Sequence, residues 1–461
     1  MTARIADSAM YAHLWGTPQT RAIFEERTRI QSWLDILAAL ARAQAAVGLI
    51  PAAAAQEITR LAKVDLLDLD AVAQQTRATG HSTLGLIQAM RDVLPAQVHP
   101  HLNAGATVQD VTDTWTALTL REVVAIVRAD LLLIEDRLLT MCVEHRDTLI
   151  VGRTHGQPGA PMTFGFKAAS WADEVGRHLD RLAQGCERWL VGQLGGGVGT
   201  LAGQGPSGLV VRQRFCAELG LADPGISWLT ARDRVAEAGL VLAMITCTLA
   251  RIGGEVYELQ RPEIGELREP SRAGLVGSIT MPHKRNPERS EHLDTLARLV
   301  RAHAGVLLEG MVGQHERDGR SWKAEWVAFP EVCLLTSAAT STAAELLTGL
   351  EIDVTAMRSH VDDDVLSEQV LALLTPRLGR HVAQQRLQEV LAGDRRGEAG
   401  LRELVVDAGL LTADQASGLE PDIGHAGAMV DVVVRHARAA RSVDAAEPNI
   451  DSTPDLTGRA L

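Results

Sequence analysis

The sequence predicts an all-α fold, and three observations carry that prediction. Apolar Leu120, Val123, Val127, Leu131, Ile134, Leu138 and Met141 recur at steps of three and four, while Arg121, Arg128 and Glu135 fall on the other side. Aromatic residues make up only 3% of the chain, and alanine and leucine dominate, a balance that favours helix over strand. No segment sustains an alternation of period two.

Taken in chain order, residues 30–47 give the first strong helical pattern, closed by Gly48 and Pro51. The strongest runs over 113–144 and predicts one helix of some 30 residues, about 45 Å long at 1.5 Å per residue. Such a length suits an elongated helix bundle. Residues 166–190, 234–259, 290–312 and 332–350 repeat the pattern, with breaks at 192–199 and at Gly253 and Gly254. The turn-rich segments 99–107 and 351–357 predict boundaries. We therefore expect three helical domains: 1–106, a central bundle over 107–353, and 354–461. The last fifteen residues, rich in Asp, Pro, Thr and Ser, are expected to fray.

The net charge of −13 and a pI near 5.6 argue against nonspecific binding to nucleic acid or a membrane surface, which both repel an acidic protein. An anionic substrate would need a local positive site. The N-terminus has no apolar leader region, and the longest nearly uncharged run, 238–250, is shorter than the roughly 20 residues that span a bilayer. Cytoplasmic residence is expected. The five cysteines are odd in number and widely spaced, which predicts reduced, mostly buried thiols. No CxxC pair occurs, and the pair His99 and His101 flanks a proline, so no metal is expected. The glycine-rich stretch 195–203 (GGGVGTLAG) lacks the last glycine of GxGxxG and follows no strand, and no P-loop occurs, so no nucleotide cofactor is expected.

Three polar islands interrupt the apolar text: 105–114 (GATVQDVTDT), 153–165 (RTHGQPGAPMTFG) and 277–287 (GSITMPHKRNP). Each sets hydroxyl, amide or histidine side chains near Gly or Pro at an expected helix boundary, where free amides bind carboxylates. In the third, Pro282 and Pro287 remove two amide donors and push their predecessors toward extended geometry. The expectation is a mobile loop that carries Ser278, Thr280, His283, Lys284, Arg285 and Asn286 and closes over an anion. Singly, each island has a plainer reading. Asp110 or Thr112 would cap the long helix, His155 would be a hydrogen-bonded loop histidine, and Ser278 and Lys284 would be solvated.

Together, the islands resemble the fumarase/aspartase superfamily, whose signature loop GSSxMPxKxNP is matched at Gly277, Ser278, Met281, Pro282, Lys284, Asn286 and Pro287. Thr154, His155 and Gln157 resemble its THxQ segment, and 107–110 its TSxD segment. Likeness runs from about residue 8 to 440. The nearest branch holds adenylosuccinate lyase and 3-carboxy-cis,cis-muconate cycloisomerase, with 195–203, 315–326 (HERDGRSWKAEW) and 422–431 (DIGHAGAMVD) nearer the cycloisomerase. The serine-rich phosphate segment of adenylosuccinate lyases is not evident, which disfavours a purine nucleotide. Ile279 and Val108 stand where the patterns carry serine, and the segment around His81 departs from both enzymes.

The resemblance implies anti β-elimination from a succinate-type di- or tricarboxylate, with fumarate released, or the reverse addition. Ser278 would be the carbon base, His155 the acid toward the leaving group, and Glu291 the carboxylate that orients His155. Lys284 and Asn286 would bind one substrate carboxylate, and Thr107, Thr154 and Gln157 the other. The resemblance also implies a homotetramer whose active sites each draw on three subunits, with no cofactor. Two other readings stand beside it: a lactonising cycloisomerase, and a noncatalytic all-α scaffold.

Overall fold

The computed structural model describes residues 4–271, 274, 276–393 and 399–446. The expected fraying of the last fifteen residues lies outside them. The chain first folds α1 (Pro18–Phe24), α2 (Glu26–Ala46), α3 (Ala52–Leu61), α4 (Leu69–Thr79) and α5 (Leu84–Val93). The bundle follows: α6 (Val108–Glu144), α7 (Phe164–Trp189), α8 (Gly208–Glu218), α9 (Asp233–Leu259), α10 (Glu288–Glu309) and α11 (Gly319–Thr348). Last come α12 (Val354–Ser359), α13 (Ser367–Leu378), α14 (Arg380–Gly393), α15 (Leu401–Asp407), α16 (Ala413–Ser417) and α17 (Ala426–Ala446). Two small antiparallel pairs supplement the helices, β1 (Leu149–Thr154) with β2 (Gln157–Thr163), and β3 (Leu267–Arg268) with β4 (Glu351–Ile352). The fold is all-α, as expected.

The predicted long helix is α6, and it starts five residues earlier than its apolar periodicity because its first turn is held from outside. The carboxylate of Asp110 accepts the Thr107 amide at 2.9 Å and so closes the helix start. Its 37 residues extend roughly 55 Å. Arg232, just before α9, reaches Asp113 near the start of α6, so α9 begins at that end of the bundle. Glu325, in the first turns of α11, meets the same Arg232. At the far end, Gly349 after α11 packs against Pro270 and β3 pairs with β4. The loop 277–287 therefore hangs at the end of the bundle away from Thr107.

α11 begins thirteen residues before the sequence pattern suggests and runs through Pro330. The proline lacks an amide donor, yet burial of Trp322, Glu325, Ala328 and Phe329 holds the preceding turns in helix. α9 is long and apolar enough by composition to cross a membrane, longer than the run read from the sequence, but 67% of its most apolar window is buried, against α7, α10 and α11.

Buried apolar side chains fall into three groups. One fills the bundle, the second joins α2, α3 and α5 to Val111, Trp115 and α8, and the third lies among α13 to α16. These groups cross the chain order: α8 joins the N-terminal core, and α17 places Val430 and Val434 back in the bundle.

Candidate active site

The first island is built around a buried carboxylate. Asp110 Oδ1 accepts the amide of Gly195 at 2.9 Å and Gln193 Nε2 at 3.3 Å, while Oδ2 accepts the amides of Gly196 and Thr107, both at 2.9 Å. Burial pushes this carboxyl up to about 6, and the four donors oppose that shift. The glycine-rich stretch is thus a backbone cradle for Asp110. Gly105, at φ 71°, lies so close to the same stretch that a Cβ there would meet the Gly203 carbonyl oxygen at 2.6 Å.

Beside this cradle, Arg317 donates to Thr107 Oγ1 and to the Gly197 carbonyl, each at 3.0 Å. Thr107 therefore sits with a cation already against its hydroxyl, a suitable corner for a carboxylate. One to two turns further along α6, Asp113 accepts both terminal nitrogens of Arg232 at 2.8 and 3.0 Å, and Glu325 accepts Arg232 from the other side. All three are buried. His81 stands at the start of α5, where its Nδ1 accepts the amides of Thr83 and Leu84 at 3.4 and 3.2 Å, so the neutral ring carries its proton on Nε2.

The second island is a β-hairpin that ends on the expected helix boundary, where Thr163 caps α7. Thr154 pairs with Gln157 across a two-residue turn of His155 (φ 55°) and Gly156 (φ 76°), the positive pair that a type I′ turn requires. Thr154, His155 and Gln157 are all exposed at the tip. The hairpin is anchored by Arg153, which donates to both oxygens of the fully buried Glu266 at 2.8 and 2.7 Å; His360 Nδ1 lies 2.7 Å from the same carboxylate.

The third island is non-helical throughout, as its prolines require. Ser278 Oγ accepts the Met281 amide at 3.0 Å, and Asn286 Nδ2 donates to the Gly277 carbonyl at 2.8 Å, pinning the two ends of the loop together. Arg285 is tied to Glu351 and to the Glu269 carbonyl, and the Glu269 carboxylate caps α10 by accepting the amides of Arg289 and Ser290. Lys284 is exposed, and its ammonium meets no acid among the described residues. Glu291 is exposed on the first turn of α10. Among the described residues no hydrogen bond joins Ser278, His155, Glu291, Lys284 or Thr107 to one another.

One chain therefore sets Thr107 and Arg317 at one end of the bundle, and the hairpin and Ser278 loop at the other. The sequence reading missed Arg317, the Asp113–Arg232–Glu325 cluster and the Arg153–Glu266–His360 anchor. Their partners lie about 100 residues or more apart in the chain, and no local spacing links them.

The sequence matches the lyase family over residues 15–302. It is 37% identical over 447 residues to an N-acetyl-S-(2-succino)cysteine lyase of Dickeya dadantii (strain 3937), covering 95% of this chain and 98% of that protein. It is 35% identical over 439 residues to an adenylosuccinate lyase of Methanothermobacter thermautotrophicus (strain ATCC 29096 / DSM 1053 / JCM 10044 / NBRC 100330 / Delta H), covering 92% of this chain and 97% of that one. The crystal structure of a 3-carboxy-cis,cis-muconate lactonizing enzyme from Pseudomonas putida superposes with a TM-score of 0.86 at 32% identity, over 94% of this chain and 99% of that one. The signature loop, the bundle that carries it and these likenesses agree: the chain belongs to the fumarase/aspartase superfamily of lyases, in the branch of the adenylosuccinate lyases and cycloisomerases, and is an enzyme of that superfamily.

Proposed function

We propose that the enzyme cleaves a succinyl-type di- or tricarboxylate by base-catalysed anti β-elimination, releasing fumarate, or runs the reverse addition. Ser278 Oγ takes the proton from the carbon beside a carboxylate, and the carbanion spreads its charge into that carboxylate as a dianionic aci form. Collapse of this form expels the leaving group, which takes a proton from His155, oriented by Glu291. Lys284 and Asn286 stabilise the dianion, while Thr107, Thr154 and Gln157 hold the other carboxylate.

The observation that carries this reading is the Met281 amide donating to Ser278 Oγ in a loop that also carries Lys284, whose ammonium meets no acid among the described residues. A serine oxygen is a poor base, so its ionised form needs an amide and a cation close by, and the loop supplies both. Because the three islands lie at two ends of one bundle, a complete site needs neighbouring subunits, and we place it in a homotetramer. Exposed Leu240 and Met244 on α9 and Leu299 and Leu308 on α10 supply apolar surface for that association. Five unpaired cysteines support residence in a reducing compartment, the cytoplasm.

Ser278→Ala tests the mechanism. Fumarate formation, followed by its ultraviolet absorbance against a panel of succinyl thioethers and amines, is expected to fall by about 10³-fold or more, with the assembly unchanged in sedimentation. Activity within a few-fold of wild type would remove Ser278 as the base.

A second reading, lactonisation of 3-carboxy-cis,cis-muconate, is favoured by the close superposition on the lactonizing enzyme. There a substrate carboxylate adds to a conjugated double bond. Loss of the muconate absorbance without fumarate would select it.

A further inference from the structure

A cavity of about 230 Å³ opens between α2, the α4–α5 junction, the first turns of α6 and the first half of α11. Four of the chain's eight tryptophans line it: Trp33, Trp115, Trp322 and Trp326. Trp322 and Trp326 meet edge to face with centroids 4.8 Å apart, and Arg29 lies 5.9 Å over the Trp33 ring. In a chain with 3% aromatic residues this concentration is a built surface.

The electrostatics narrow what the cavity accepts. Asp113 and Glu325 line it, and both carboxylates are already engaged by the buried guanidinium of Arg232. Arg29, the one lining cation among the described residues, stands 3.7 Å from Glu26. A phosphate would face the two lining carboxylates, whereas a flat apolar group would meet tryptophan faces and edges.

Its position ties the cavity to the active site. Thr112 and Asp113 follow Thr107 along α6, Arg317 binds Thr107 and acts on the Asp113 carboxyl, and Trp322 lies five residues beyond Arg317. The cavity thus begins beside the corner assigned to a substrate carboxylate.

We propose that this cavity houses the departing part of the substrate, and that this part is an uncharged, flat apolar group rather than a phosphorylated one. The inference rests on the elimination reading only for the word departing; the binding preference stands by itself.

The test is calorimetric titration of 2-phenylsuccinate against succinate. Wild-type enzyme is expected to bind the phenyl compound at least about tenfold more tightly. In Trp326→Leu, whose side chain is partly exposed and so least needed for folding, that advantage should shrink below about threefold with succinate affinity unchanged. Trp322→Leu should act alike. Equal wild-type affinities, or equal losses for both ligands, would overturn the proposal. Turnover supplies the second arm: 2-(phenylthio)succinate should exceed 2-(2-phosphonooxyethylthio)succinate in kcat/KM by about tenfold or more, and the opposite order overturns the proposal. If phenylsuccinate binds as expected but neither thioether yields fumarate, the elimination reading fails and the cavity assignment stands.

Discussion

His155 holds φ 55°, a backbone state that costs most side chains of L-residues about 1 kcal/mol and that asparagine and glycine tolerate. A histidine kept there, exposed and free of hydrogen bonds among the described residues, trades backbone ease for a ring at the tip of a hairpin. His155→Asn separates the two roles, since asparagine suits the turn but has no titrating group. We expect kcat to fall by about 10²-fold or more while the melting temperature stays within a few degrees of wild type. A variant that unfolds early would make the residue structural, and one with full turnover would strike it from the mechanism. Ser278 shows the same division differently: its bond from the Met281 amide shapes the loop and, in the proposed mechanism, would also stabilise an ionised oxygen. At this scale the sequence was informative, because residue types in a fixed local order are enough to mark such a site. Arg317 was not legible, since nothing near it in the chain indicates that it reaches Thr107.

At the scale of elements, α7 and α9 are clasped by a buried polar relay. Arg181 lies 3.2 Å from His178 Nδ1, His178 Nε2 is 2.8 Å from Thr248 Oγ1, and Thr248 donates to Glu174 at 2.6 Å. With Nδ1 facing a guanidinium, the neutral ring donates through Nε2 and has no room for a second proton. Burial first, and Arg181 next, lower its pKa from the ordinary 6.5 to about 4. Between those values the unfolded chain binds a proton that the folded chain refuses. Stability from this group is therefore full above pH 6.5 and is lost as pH falls toward 4, in total roughly 3 kcal/mol. Comparing urea midpoints at pH 7 and pH 5, we expect His178→Gln to lose about 2 kcal/mol less than wild type over that interval. Identical losses would show that the relay does not govern acid sensitivity. The long helices were legible from period, because burial of one face dictates the spacing, although the break expected at Gly253 and Gly254 lies inside α9. The β1–β2 hairpin was not: Pro158 and Pro161 interrupt its second strand, and its turn is His-Gly rather than the usual Asn-Gly. The first half of α11 was hidden for a related reason, since Pro330 reads as a stop while Glu325 is held by Arg232, far away in sequence.

At the scale of the whole molecule, the length of α6 sets how far apart the candidate site residues of one chain lie. Its roughly 55 Å keeps Thr107 and Arg317 apart from the hairpin that follows the helix, and α9 carries the Ser278 loop to that same far end. A side chain reaches only a few ångströms, so the Thr107–Arg317 corner of one chain cannot meet that chain's own Ser278 loop. Antiparallel association of bundles through the exposed apolar residues of α9 and α10 would bring one chain's corner to another chain's loop. This has a consequence that a site confined to one chain cannot have. Take Thr107→Ala and Ser278→Ala, each expected to be inactive alone because every site of the proposed tetramer would lack one group. In tetramers reassembled from an equal mixture, each site draws its Thr107 and its Ser278 from different subunits, independently. About one quarter of sites then receive both native residues, so activity should return to roughly 25% of wild type. A site built within one chain gives none, whatever the mixing ratio. Measured activity of a coexpressed or refolded mixture therefore decides between the two arrangements, and a mixture as silent as its parents would refute the shared site.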